Sequence, residues 1–170
     1  FEVTSAFIEK VFFIHDKKNI FIMRHGLNFS FYFFGFYCFY LFISDFLENK
    51  KISLPLSMFY FLNPRLLAHG FFNGKDSIAQ ALVCCAVYYI YLASKTRANK
   101  WVVLAGFFTG VGISIRISIT FILFLFPLII FFEDLFGSKK FTIKKQSLKI
   151  IWIYVITVFI SFYIFMPGIW

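Results

Sequence analysis

Residues 26–44 read GLNFSFYFFGFYCFYLFIS, nineteen positions without a charge. A helix through them rises about 28 Å at 1.5 Å per residue, close to the roughly 30 Å hydrocarbon core of a bilayer. A soluble domain has no interior able to hide such a run of aromatic side chains. The bilayer is the solvent that accepts it.

Working outward, the uncharged stretches Ile52–Pro64, Ser77–Ser94, Trp101–Ile115, Ile117–Phe132 and Ile150–Trp170 repeat the pattern. They predict spans near 26–44, 52–68, 77–94, 101–115, 117–132 and 150–166. Ile52–Pro64 is short and carries Pro55, which suits a first helical turn; the helix is expected to continue past Arg65 or to tilt. The predicted fold class is all-α, a polytopic transmembrane helical bundle over 1–170, read as one domain without internal repeat or linker. Whole-chain composition agrees: 61% of residues are apolar, 24% aromatic, and mean hydropathy is +0.81, against about 45–50% apolar in soluble domains.

Phe1–Met23 differs. Val3, Phe7, Ile8, Val11, Phe12 and Ile14 recur near helical spacing, with Glu2, Glu9, Lys10, Asp16, Lys17 and Lys18 between them. This pattern predicts an amphipathic helix over 1–23 lying at the external interface. The chain opens at Phe1 without an initiator methionine or a cleavable leader, and stops just after a hydrophobic run. It is therefore expected to be the N-terminal half of a longer protein.

The net charge of +9 does not point to nucleic acid, because the basic residues lie between hydrophobic runs and not on one polar face. Lys50, Lys51, Lys95, Arg97, Lys100, Lys139, Lys140, Lys144, Lys145 and Lys149 fall in alternate connections. Arg65, Lys75 and Arg116 fall in the others. The positive-inside rule makes the first set cytoplasmic and the second external. Cys38, Cys84 and Cys85 sit inside apolar runs without metal-ligand spacing and read as small packing residues.

Two places interrupt the apolar monotony. Asn63-Pro64-Arg65-Leu66-Leu67-Ala68-His69-Gly70-Phe71-Phe72-Asn73-Gly74-Lys75-Asp76 gathers a guanidinium, an imidazole, an ammonium, a carboxylate and two amides in one external connection. Asp76 opens the span that follows, where the helix dipole favours a carboxylate. Taken singly, Asp76 reads as a helix cap and Arg65 as a snorkelling flank; the density of groups points instead to a site. The second place is Arg116, between two apolar runs. One continuous helix would bury it at mid-membrane, so a hairpin is expected there, with Gly106 and Gly110 in GxxxG spacing allowing close helix contact. Arg binds phosphate bidentately, and Lys adds a point charge. Basic donors at an external membrane face suit the anion of a polyprenyl phosphate, its tail in lipid.

The string from Pro64 to Asp76 resembles the P-R-x-x-x-H-x-F-F-N-P-K-D signature of bacterial membrane glycosyltransferases related to protein O-mannosyltransferases and aminoarabinose transferases, which have the GT-C fold. Arg24-His25 opening a span, Thr109-Gly110-Val111-Gly112-Ile113-Ser114-Ile115-Arg116, and Pro167-Gly168-Ile169-Trp170 fit the same pattern. One departure is Gly74, where the family usually has Pro. The resemblance implies transfer of a sugar from a polyprenyl-phosphate donor to a protein, lipid or glycan acceptor. It places the reaction on the external side of a bacterial inner membrane. It implies Asp76 as a catalytic-site carboxylate, with Arg65, His69, Asn73, Lys75, Arg116, Arg24 and His25 around the substrate and its phosphate. The family's main carboxylate is expected before Phe1. No nucleotide loop or other cofactor motif is visible, and a divalent metal stays open. A transporter or flippase of lipid-linked saccharides is the alternative; it would usually show broken helices or a repeated half, and the sequence gives no sign of either.

Overall fold

The computed structural model describes residues 16–137 and 145–166, and every regular element among them is helical. In chain order these are α1 (Lys17–Leu47), α2 (Lys50–Phe61), α3 (Pro64–Phe72), α4 (Gly74–Thr96) and α5 (Asn99–Ile115). A 3-10 turn (Ile117–Thr120), α6 (Phe121–Gly137) and α7 (Lys145–Phe165) follow. Four stretches are long and apolar enough to cross a membrane: α1, α4, Ile117–Phe136 and α7; α5 is apolar but shorter. The protein is a helical membrane bundle. Its contacts divide it into two compact units, Phe1–Ala81 and Leu82–Trp170, with the dividing point inside α4.

In the first unit, Asp16 caps α1, its Oδ1 accepting from the Lys18 amide at 3.3 Å. The helix then runs without a break past Arg24 and His25. The expected separate interfacial helix is therefore not separate over Lys17–Met23, which extends the first span; its residues 1–15 lie outside the described ones. Helix α1 stops at Glu48, in the left-handed region with φ 52°. Asn49 then caps α2 by accepting from Lys51 N–H at 3.1 Å. Pro55 falls in the second turn of α2, not in the first.

The predicted span over 52–68 is two helices instead of one. Pro64 has no N–H, and its ring pushes the preceding residue out of the helical region; Asn63 accordingly has φ −58° and ψ 120°. The Asn63 side chain then accepts from Arg65 N–H at 3.1 Å and starts α3 with Pro64 in its first turn. The Tyr32 hydroxyl of α1 donates to the Phe61 carbonyl, one of those the helix end leaves without an intrahelical partner. Phe39 of α1 stacks on Tyr60, and Asn28 reaches Gly70, so the chain runs back along α1. From Leu47 to Asn28 is about 28 Å of helix rise. Helices α2 and α3 in series therefore return the chain over a distance comparable to the hydrocarbon core.

In the second unit, α5 and α7 meet through Gly106 and Gly110. A Cβ on Gly110 would lie 2.5 Å from the Val158 carbonyl oxygen, and one on Gly106 2.9 Å from that of Tyr154. Backbone is the neighbour in both cases, so only glycine permits this approach. Buried Tyr154 donates its hydroxyl toward Thr109 Oγ1 and the Ile122 carbonyl, each at 3.1 Å, and so joins α5, α6 and α7. Ile122, Phe126 and Ile130, at helical spacing, give α6 its fully buried face. At the end of α4, Arg97 takes the left-handed conformation, φ 53°. Its guanidinium reaches Glu133 at 2.7 Å, buried Asp134 at 3.5 Å and the Ser147 hydroxyl at 3.2 Å. Arg97 thus ties the α4–α5 connection to the end of α6 and the start of α7.

Candidate functional site

The corner between α3 and α4 is built by one residue. Asn73 donates its backbone N–H to the His69 carbonyl at 3.0 Å, closing α3, and accepts from Ser77 N–H at 3.2 Å, opening α4. Its side-chain oxygen accepts from Asp76 N–H at 3.4 Å, and its amide nitrogen donates to Asp76 Oδ2 at 2.6 Å. This is the reciprocal logic of a capping box, with the amide of the capping residue as second donor. Asp76 sits in the first turn of a helix of 23 residues, so aligned N–H dipoles also favour its negative charge.

Local folding brings three predicted residues together. The His69 Nδ1 lies 3.9 Å from Asp76 Oδ2, and their side chains are 34% and 32% exposed. The pair is therefore held by protein yet open to a reactant. Arg65, four residues before His69, shares a face of α3 with it. Lys75 precedes Asp76, and both cationic side chains are exposed. An oriented carboxylate beside an imidazole can accept a proton from a hydroxyl or amine. Flanking cations can hold a phosphate.

The remaining predicted residues are placed differently. His25 turns its Nδ1 to its own helix, 2.9 Å from the Phe21 carbonyl, and its ring lies tilted against Phe21 at 3.9 Å between centroids. Arg24 is exposed on α1, one turn before Asn28 and on the same face. Arg116 belongs to the second unit. It is exposed and extended, with φ −140° and ψ 112°, and its N–H closes α5 on the Gly112 carbonyl at 2.9 Å. The chain therefore does turn out of helix at Arg116, as expected.

Sequence reasoning missed Asn28 and Ser77. Asn28 is only 4% exposed. Its amide donates to the Gly70 carbonyl at 2.6 Å, and its oxygen accepts from the Ser77 hydroxyl. Gly70 follows His69 and Ser77 follows Asp76, so Asn28 pins both sides of the corner to α1. Gly70 also lies under the Tyr32 ring, where an added Cβ would stand 3.3 Å from it. The available signal was a lone amide within an otherwise apolar run, which in a membrane protein marks a buried hydrogen bond. Among the described residues no three His, Cys, Asp or Glu side chains gather as metal ligands.

The family model described as dolichyl-phosphate-mannose-protein mannosyltransferase matches residues 28–170, and the chain belongs to that family, membrane glycosyltransferases of the GT-C type that use polyprenyl-phosphate sugar donors. No curated protein and no solved structure matches it significantly.

Proposed function

We propose that this chain contributes to transfer of a sugar from a polyprenyl-phosphate donor to a protein, lipid or glycan acceptor at the external face of a bacterial inner membrane. The observation that carries this reading is the corner where Asn73 orients Asp76 beside His69, with Arg65 and Lys75 exposed around it. The acceptor oxygen or nitrogen attacks the anomeric carbon, and the bond from that carbon to the phosphate oxygen breaks, its electron pair leaving with the phosphate. The acceptor proton passes to a carboxylate base, and Asp76 with His69 orients the acceptor or takes that proton. Cations meet the growing negative charge on the departing phosphate. Arg65 and Lys75 are assigned this role at the corner; Arg24, His25 and Arg116 are assigned it by motif. No nucleotide or redox cofactor enters the balance.

The test is Asp76→Asn in the full-length protein. Asn can still accept from Asn73 through its side-chain oxygen and loses only the charge–dipole contribution of about 0.3–1 kcal/mol, so membrane levels and thermal stability should stay near wild type. Transfer from a synthetic polyprenyl-phosphate sugar should fall about 100-fold or more, the usual range for loss of a proton-transfer group. Transfer within about threefold of wild type would return Asp76 to a capping role.

The flippase reading gains one observation, the broken α2–α3 pair, since interrupted helices are frequent in transporters. Family membership favours transfer. Movement of labelled donor across vesicle membranes without acceptor would favour flipping.

A further inference from the structure

The end of the second unit where Arg97 ties α4 to α6 and α7 also gathers lysines from distant parts of the chain. Lys95 is in the last turn of α4 and Lys100 in the first turn of α5; Lys145 and Lys149 lie one turn apart at the start of α7. All four are exposed. The Arg97 contact with Ser147 brings the two groups to the same end, fifty residues apart in sequence. The nearby acids do not cancel them, because Arg97 offsets one of the two carboxylates of Glu133 and Asp134 and the four lysines outnumber the other.

Aromatic side chains stand with these lysines. Lys100 Nζ lies 4.6 Å from the Trp101 ring centroid and Lys95 Nζ 5.6 Å from that of Tyr91. Trp and Tyr sit at the headgroup level of a bilayer, with ring in the apolar zone and polar edge in the wet one. The helices α4, α6 and α7, whose ends gather here, belong to stretches apolar enough to span, so this end of the unit stands at a membrane surface. Its four lysines then lie at the depth of lipid phosphates.

We propose that this face binds the anionic phospholipids of the adjoining leaflet, with Lys95, Lys100, Lys145 and Lys149 as phosphate contacts and Tyr91 and Trp101 setting their depth. A polybasic cluster beside a membrane span attracts anionic lipid with roughly fivefold gain per Lys near the surface. This face is independent of the Asp76 corner and of the reaction assigned to it.

The experiment is native mass spectrometry of the detergent-purified full-length protein, titrated with phosphatidylglycerol or phosphatidylcholine of matched chains. Wild type should retain phosphatidylglycerol at least tenfold better. Lys95/Lys100/Lys145/Lys149→Gln together should bring the ratio near one, and the matching Lys→Arg set should keep it. Equal retention of both lipids by wild type, or an unchanged preference in the Gln set, would overturn the proposal. Should the Gln set fail to fold, wild type decides alone. Raising salt from about 0.1 M to about 1 M in a vesicle-based lipid-exchange assay shortens the screening length from about 10 Å to about 3 Å. The preference should collapse, and a salt-insensitive preference would refute the assignment.

Discussion

Replacing Arg97 by Ala removes one guanidinium from three partners of unequal weight. Glu133 is close, at 2.7 Å, but 42% exposed, and an exposed pair contributes about 1 kcal/mol or less. Asp134 is farther, at 3.5 Å, but its side chain is only 2% exposed. Taking one cation from such a buried carboxylate costs more than losing the exposed pair, up to roughly 3–5 kcal/mol, so burial outweighs distance and Asp134 decides the result. The backbone adds a smaller effect: residue 97 has φ 53°, a conformation glycine adopts more readily than Ala by about 1 kcal/mol. The expected order of stability is wild type, then Arg97→Gly, then Arg97→Ala, with the Ala variant lower in Tm by roughly 10 °C. Adding Asp134→Asn to Arg97→Ala should restore part of the loss, because the buried charge that lost its guanidinium is gone. Cys38, Cys84 and Cys85 are all buried, so a thiol-reactive fluorogenic dye reads unfolding during a thermal ramp in detergent. Tm values for Arg97→Ala within about 1 °C of wild type, or no recovery in the double variant, would refute this weighting.

Three further outcomes are expected. Asn28→Leu removes an acceptor from Ser77 and a donor from Gly70; at about 0.6 kcal/mol per hydrogen bond within membranes, up to about 1.7, Tm should fall by several degrees. Donor-dependent transfer should fall with it, and unchanged transfer at lowered Tm would show that the corner keeps its geometry without α1. Arg116→Lys should lower transfer by about tenfold or more through loss of the planar fork, with normal kinetics marking a snorkelling arginine. Single cysteines replacing Lys50 and Lys95 in a background lacking the native cysteines should label from the cytoplasm, and one replacing Lys75 from outside. Labelling of the Lys75 and Lys95 positions from one side would refute the assigned topology.

Hydrophobic runs made the bundle legible, because in lipid a chain satisfies its backbone polar groups within helices. The interrupted second span was not read, although Asn63-Pro64 carries both a capping side chain and a ring without N–H. Counting uncharged residues ran straight through that pair. Helix α1 likewise swallowed Lys17–Met23, because propagation from an Asp16 cap adds a hydrogen bond per residue and nothing at Arg24-His25 interrupts it. At the corner, His69, Asn73 and Asp76 lie within about two helical turns of each other in sequence, so their meeting was visible beforehand. Asn28 lies 42 residues from Gly70 and 49 from Ser77, and no local pattern announces such a partner. Arg97 was read only as a topological charge for the same reason: Glu133 is 36 residues away.

The length of α1 acts as a depth gauge. Its 31 residues rise about 46 Å, while the apolar stretch from Gly26 to Ser44 alone matches the roughly 30 Å hydrocarbon thickness. With that stretch seated in the acyl chains, the turns from Lys17 to His25 stand about 13 Å beyond it as a rigid post, still helical and still part of the same rod. Arg24 and His25 then sit at the base of the post, at the level where glycerol gives way to phosphate. Because the rod is continuous, a thicker or thinner bilayer would slide Arg24 out of register with the headgroups.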